Sequence, residues 1–329
     1  MRTSIVIPSK NNIATIDKCL ASLMPYYRAG YITEIVVVDG HSTDGTLDVI
    51  NNYPVKLLFE QVEGNIGLAY EYGWRNTQGE LVILFDSDVY MDSGFFPKIF
   101  EMFSDSNVGW ISCQAKAVVT NRITKTQGQD WEKGALGLSP TAKSPLRRLY
   151  SRIAYGGTKE PLWGGPCMVV RRICLEAVDG LQGLSSGTIG LKGVCLGDIC
   201  LSLRIVKKGW KAVWWIDAPV FHHPRPTLKG YNKQMYNYGK AAAYMQLEPE
   251  FEKDFPWQNK VMSLVARLGS PLIGIYLAIR YCNPYQLIVY PVPRFYWAWG
   301  YIRGWIQARK SNQPFYSGPG ITPSKKPLT

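Results

Sequence analysis

The chain has 329 residues, enough for one large domain or two modest ones, and 46% of them are hydrophobic against 19% charged. That balance excludes a chain too polar to bury a core. The formal net charge of +12 points to an anionic partner: nucleic acid, anionic lipid or a nucleotide.

The seven cysteines, Cys19, Cys113, Cys167, Cys174, Cys195, Cys200 and Cys282, contain no Cys-x-x-Cys pair and form no even framework. They read as small core residues in a reducing compartment. The N-terminus enters a strand-like run directly, without a basic and apolar signal before it, so a cytoplasmic catalytic part is expected.

Strand-like runs lie at Thr3 to Pro8, Glu34 to Asp39, Val55 to Glu60, Leu81 to Phe85 and Val108 to Cys113. Between them, Ile13, Ile16, Leu20 and Leu23 follow helical spacing, Leu47 and Ile50 mark a shorter helix, a third runs from Asn65 through Trp74, and a fourth starts near Gly94. This alternation predicts an α/β domain with a largely parallel sheet flanked by helices. The gaps are too long for a propeller or a sandwich. The turn after the first strand, Pro8-Ser9-Lys10-Asn11-Asn12, lacks the glycine spacing of a dinucleotide fold, and no Gly-Lys-Ser or Gly-Lys-Thr ends a glycine-rich stretch.

Acids stand at two strand ends. Asp39 closes the second strand, where a carboxylate suits a ribose hydroxyl or a base N–H, and equally suits a turn bonded to its own backbone. After Leu81 to Phe85, Asp86 and Asp88 follow two residues apart, at the sheet edge where open α/β folds bind ligands. Two carboxylates this close repel unless a cation, a proton or hydrogen bonds offset the charge.

The segments "IVIPSKNN", "EIVVVDGHSTDGT", "EGNIGLAYEYGWRNTQGELVILFDSD", "GPCMVVRR" and "GDICLSLRIVKKGWK", in this order over about residues 2 to 240, resemble the family 2 glycosyltransferases, inverting enzymes of the GT-A fold. The resemblance implies that Pro8, Asn11 and Asn65 lie around the nucleotide, with Asp39 on the base or ribose. It implies that Asp86 meets the ribose or the metal, and that Asp88 is the main ligand of Mg2+ or Mn2+. It places Trp163 and Gly164 beside donor sugar and acceptor, and makes Asp198 the general base. The family usually has Glu-Asp there, and this chain has Gly197-Asp198. His222 is expected to complete the metal site, and Gln234, in a Gln-x-x-x-Tyr-Gly segment, to approach the diphosphate. The Gln-x-x-Arg-Trp motif of processive synthases is missing, which implies one sugar per encounter.

These signatures predict a catalytic domain over residues 1–245, with a nucleotide-binding half over 1–115 and an acceptor and base half over 116–245. Residues 120–161 read as a loosely patterned basic insertion, densest at Arg147-Arg148-Leu149-Tyr150-Ser151-Arg152. Beyond 245 the chain turns apolar and aromatic. Leu268 to Ile279 falls short of the roughly 20 apolar residues a spanning helix needs, and the following aromatics sit among prolines and arginines. Residues 246–329 therefore read as helices lying in an anionic membrane surface, with packing on the catalytic domain or across a homodimer as the other reading.

The expected function is metal-dependent transfer of a sugar from a UDP- or GDP-sugar to a lipid-linked saccharide or polysaccharide at the cytoplasmic face of the membrane. Transfer to a polyprenyl phosphate is the alternative. A nucleic-acid-binding role fits poorly, because the aromatics sit beside apolar segments and not along a positive stacking groove, and a non-catalytic scaffold fits poorly because Asp39, Asp86, Asp88 and Asp198 are all retained.

Overall fold

In the computed structural model, residues 1–61, 64–133, 164–180, 197–247, 261, 264–265 and 267–310 are described. Seven strands form one sheet in the order β3-β2-β1-β4-β8-β6-β9. These are β1 (Thr3–Ser9), β2 (Glu34–Asp39), β3 (Lys56–Phe59), β4 (Leu81–Phe85), β6 (Val108–Cys113), β8 (Cys167–Arg171) and β9 (Lys211–Trp215). The five runs of the first hundred or so residues all pair, and β1, β2, β3 and β4 run parallel. β8 lies antiparallel between β4 and β6, so the sheet is mixed.

Alternation along each strand explains why the runs are apolar throughout. Ile5 and Ile7, Ile35 and Val37, and Ile83 and Phe85 point to one layer, where helices α1 (Ile16–Arg28) and α4 (Phe95–Met102) bring Leu20, Leu23, Phe95 and Phe96. Val6, Val36, Val38, Val82 and Leu84 point to the other layer. There α3 (Ile66–Arg75), α6 (Arg172–Ala177) and α7 (Gly197–Lys207) supply Tyr70, Trp74, Leu175, Leu201 and Ile205. Each such side chain, fully buried, contributes about 1.5–3 kcal/mol. The short α2 (Thr46–Ile50) follows β2, as expected from its apolar pair.

Parallel pairing puts Ser9, Asp39 and Phe85 at one edge, and the antiparallel partner of Phe85 is Cys167. The turn before β8 therefore arrives at the same edge. A second sheet, β5-β10-β7, closes over it: β5 (Val89–Met91), β7 (Lys116–Ala117) and β10 (Val220–His222). Its register sets His222 beside Val89, next to the acids at the tip of β4.

Two parts of the chain depart from the sequence reading. Arg122–Lys133, inside the supposedly loose insertion, is the regular helix α5; the basic patch at 147–152 lies outside the described residues. In the C-terminal extension, α9 (Ser270–Arg280), α10 (Gln286–Val289) and α11 (Pro291–Lys310) follow, and α11 packs along α8 (Leu228–Leu247). Trp297 and Tyr301, expected among the surface aromatics, are buried in this packing, and Tyr290 is buried just before α11. No helix among the described residues is long and apolar enough to cross a membrane.

Candidate active site

Asp86 and Asp88 leave the end of β4, and β10 delivers His222 to them. One ligand atom from each of the three lies within 4.8 Å of the others. His222 Nε2 is 3.2 Å from Asp88 Oδ1, and Arg225 Nη1 is 3.7 Å from Asp88 Oδ2. Asp86 Oδ1 accepts from the Tyr70 hydroxyl at 2.6 Å. The backbone is tied as well, since the His223 amide donates to the Asp88 carbonyl at 3.0 Å.

The charges are strongly perturbed. Burial, and then the Asp88 charge, push the Asp86 carboxyl up to about 7. Burial works in the same direction on Asp88, but His222 and Arg225 outweigh it and hold that carboxyl below its ordinary value. For His222, burial opposes the charged ring, and the carboxylates of Asp88 and Asp86 overcome it and raise the pKa. A partly buried carboxylate pair with one acid this destabilised fits a divalent cation. Its oxygens suit Mg2+ or Mn2+, and the imidazole nitrogen suits the softer Mn2+ better.

Asp198 is linked to the end of β4 through the turn Gly164-Gly165-Pro166. The Asp86 amide donates to the Pro166 carbonyl at 2.9 Å, and the Gly165 amide donates to the Asp198 carboxylate. A Cβ built on Gly164 would stand 1.5 Å from Asp198 Oδ2, so the carboxylate occupies the space that any other residue's side chain would take. Asp198 Oδ1 also accepts from the Ile199 amide at 2.8 Å. Burial raises Asp198 to about 6, despite these amides pulling the other way. Its charge in turn contributes to raising Asp86, which makes the two acids electrostatic neighbours.

The nucleotide-side residues are placed as follows. Pro8 pairs with Val38 inside the sheet. Asn11, at φ 52°, braces the neighbouring turn: its amide donates to Ser42 Oγ at 2.8 Å, and its Oδ1 accepts from the Thr43 amide at 2.9 Å. Asp39 is fully buried, and its two oxygens accept from the Ser42 amide at 2.7 Å and the Ser42 hydroxyl at 2.8 Å. These bonds tie Asp39 to its own loop, as the turn reading expects, and leave its expected place at the base or ribose untouched. Asn65 is the N-cap of α3, accepting from the Leu68 amide at 3.1 Å. Gln234 sits on α8 and donates to Tyr238 Oη at 3.1 Å, one turn on. Trp163 lies outside the described residues.

Three site residues escaped the sequence reading. Arg225 stands three residues after His222, a spacing that offered a signal. Tyr70 and Trp131 had none, since one is an aromatic on an ordinary amphipathic helix and the other lies in the supposed insertion. Trp131 stacks on His222, with ring centroids 5.0 Å apart and planes 11° apart.

The model of the glycosyl transferase family 2 matches residues 4–176, a span that holds Asp39, Asp86, Asp88 and Gly164 and stops before Asp198 and His222. A dolichyl N-acetyl-alpha-D-glucosaminyl phosphate 3-beta-D-2,3-diacetamido-2,3-dideoxy-beta-D-glucuronosyltransferase of Methanococcus voltae is 32% identical over 300 residues, covering 87% of this chain and 87% of its own. A dolichol-phosphate mannosyltransferase of Pyrococcus furiosus is 27% identical over 111 residues, 32% of this chain and 31% of its own. Among solved structures, a mannosyltransferase from Pyrobaculum calidifontis in complex with GDP-Man and Mn2+ shares the fold, with a TM-score of 0.58 at 18% identity over 94% of this chain and 88% of its own. The chain belongs to glycosyl transferase family 2 and is a transferase of the GT-A fold.

Proposed function

We propose that the protein moves one sugar, with inversion, from a UDP- or GDP-sugar to a hydroxyl of a lipid-linked saccharide or polysaccharide. The observation that carries this reading is the cluster of Asp86, Asp88 and His222, with Asp198 tied to the same strand end by the turn at Gly164 to Pro166. Asp88, Asp86 and His222 would hold Mg2+ or Mn2+. When bound, that ion supplies positive charge against the oxygens of the departing nucleoside diphosphate. Arg225, about half exposed beside Asp88, offers a second cation to the same phosphates.

Asp198 is the base in this reading. Its carboxylate takes the acceptor proton as the hydroxyl attacks the anomeric carbon from the face opposite the leaving group. Burial helps it here, because a carboxyl raised to about 6 is a better base than one near 4 and is still ionised at neutral pH. A single displacement inverts the anomeric centre, and no covalent nucleophile is required.

The acceptor class is supported by the relative from Methanococcus voltae, whose name places its transfer on a dolichyl-linked sugar phosphate. An exposed apolar face on the C-terminal helices, including Leu272, Ile275, Ile279 and Trp299, supports peripheral membrane attachment. The same face is where a homodimer would form, and a dimer that leaves liposomes unbound would replace the membrane reading.

The test is a panel of UDP-, GDP- and dTDP-sugars assayed with Mn2+ for binding and for transfer to a polyprenyl-linked saccharide. One donor should bind in a metal-dependent way. Asp198→Asn should keep that binding and lose about 10²–10⁴-fold in transfer. Near-normal turnover in this variant removes Asp198 from the base role.

A further inference from the structure

Helix α5 lies between the metal cluster and the C-terminal helices, and its two sides are committed to different neighbours. On one side, Gln127 and Trp131 stand one turn apart. The Trp131 ring lies flat against the His222 imidazole. Gln127 Nε2 donates to the Arg225 carbonyl at 2.7 Å. Just before the helix, Asn121 Nδ2 donates to the Pro226 carbonyl at 2.9 Å, and the Val118 amide to the His222 carbonyl at 2.9 Å. The backbone from His222 to Pro226 is thus fastened along β7 and α5.

On the other side, Thr126, Gln129 and Asp130 share a face. Asn283 Nδ2 donates to Thr126 Oγ1 at 3.0 Å and to Gln129 Oε1 at 2.9 Å, and Gln286 Nε2 donates to Gln129 Oε1 at 3.2 Å. Asp130 Oδ2 pairs with Arg294 Nη2 at 3.2 Å, with side chains only 9% and 19% exposed. Arg294 is further held by its bond to the Tyr290 carbonyl.

We propose that Trp131 is a positioning residue for the metal cluster, aligning His222 toward the cation, and that the C-terminal helices keep it in place through Asp130 and Arg294. This rests on the reading of Asp86, Asp88 and His222 as a cation site. The stacked ring fixes the plane in which His222 presents its nitrogen. Trp131 also carries its own anchor, since its carbonyl accepts from Gln114 Nε2 at 2.9 Å. A metal ligand whose ring can rotate loses affinity, and removing the group that orients a ligand typically costs about 10–100-fold in metal binding.

The experiment titrates Mn2+ alone into the full chain and follows the electron paramagnetic resonance signal of the free ion. Trp131→Met keeps volume but loses the flat ring, and should weaken Mn2+ binding by about tenfold or more, while Trp131→Phe stays near wild type. Trp131→Gln replaces the methionine variant if that one does not fold. A residue acting through His222 should cost nothing further once His222 is gone, so Trp131→Met in the His222→Ala background should bind as His222→Ala alone does. Arg294→Met should weaken binding in the same direction and by less.

Wild-type affinity in Trp131→Met, or a loss that persists in full on the His222→Ala background, overturns the positioning role. Unchanged affinity in Arg294→Met overturns the part assigned to the C-terminal helices. Wild-type protein that binds Mn2+ no better than His222→Ala instead removes His222 from the cation site, and the proposal falls with it.

Discussion

Asp198 owes its place to one missing side chain. With only hydrogen at Gly164, the carboxylate fits against the turn that also receives the Asp86 amide, and the resulting burial raises its pKa to about 6. The sign of two pH effects follows. Below about 6 the folded protein holds Asp198 protonated, so transfer at saturating donor should fall along an acidic limb with its midpoint near that value. A profile flat down to pH 5 would contradict the assignment. Because the folded pKa lies above that of the unfolded chain, the folded state binds the proton more tightly, and Asp198 lowers stability as pH rises from about 4 through 6. Asp198→Asn, relieved of that charge, should melt higher at pH 7 than wild type, separating lost transfer from lost folding. At this scale the sequence offered residue types and order. It did not offer the local bonds that hold Asp39 to Ser42 and Asn65 to the first turn of α3.

Among the elements, the contact of α8 with α11 has the tightest backbone approach. A Cβ on Gly300 would stand 2.0 Å from the Tyr236 carbonyl oxygen, and one on Gly239 would stand 1.9 Å from that of Trp297. Gly304 faces Lys240 and Ala243 in the same way, one turn after Gly300. Gly300→Ala gains up to about 1 kcal/mol of helix propensity, whereas forcing two backbones apart costs about 1–3 kcal/mol in packing alone and also disturbs Tyr301 bonded to Gln246. The steric term wins, so chemical denaturation should find Gly300→Ala less stable by about 1–2 kcal/mol. Equal or greater stability would mean that the helices part without cost. Gly300 and Gly304 stand four residues apart, and no expectation was drawn from them in the sequence. Their partner on α8 was not legible there, because two helices separated by more than forty residues carry no mark of which faces meet.

The whole molecule carries its acids on one sheet edge and an exposed apolar face on the C-terminal helices. Leu272 and Ile279 are each 74% exposed on α9, and Arg280 ends the same helix. A surface of this kind should bind vesicles of anionic lipid, and Leu272→Ser with Ile279→Ser should lower that binding by about tenfold or more, each apolar side chain being worth up to about 1.5–3 kcal/mol when fully buried. Wild-type protein that stays with the supernatant would instead favour packing between two copies. The sequence by itself determined the α/β class, the strands that carry the acids and the family resemblance, because periodicity and motif order are local properties of the chain. Only the tertiary structure decided that β8 runs antiparallel and returns the Gly164 turn to the tip of β4, that β10 sets His222 against Asp88, and that α5 backs that histidine with Trp131. Each of these is a meeting of segments far apart in sequence, fixed by how layers pack and not by any pattern within a segment.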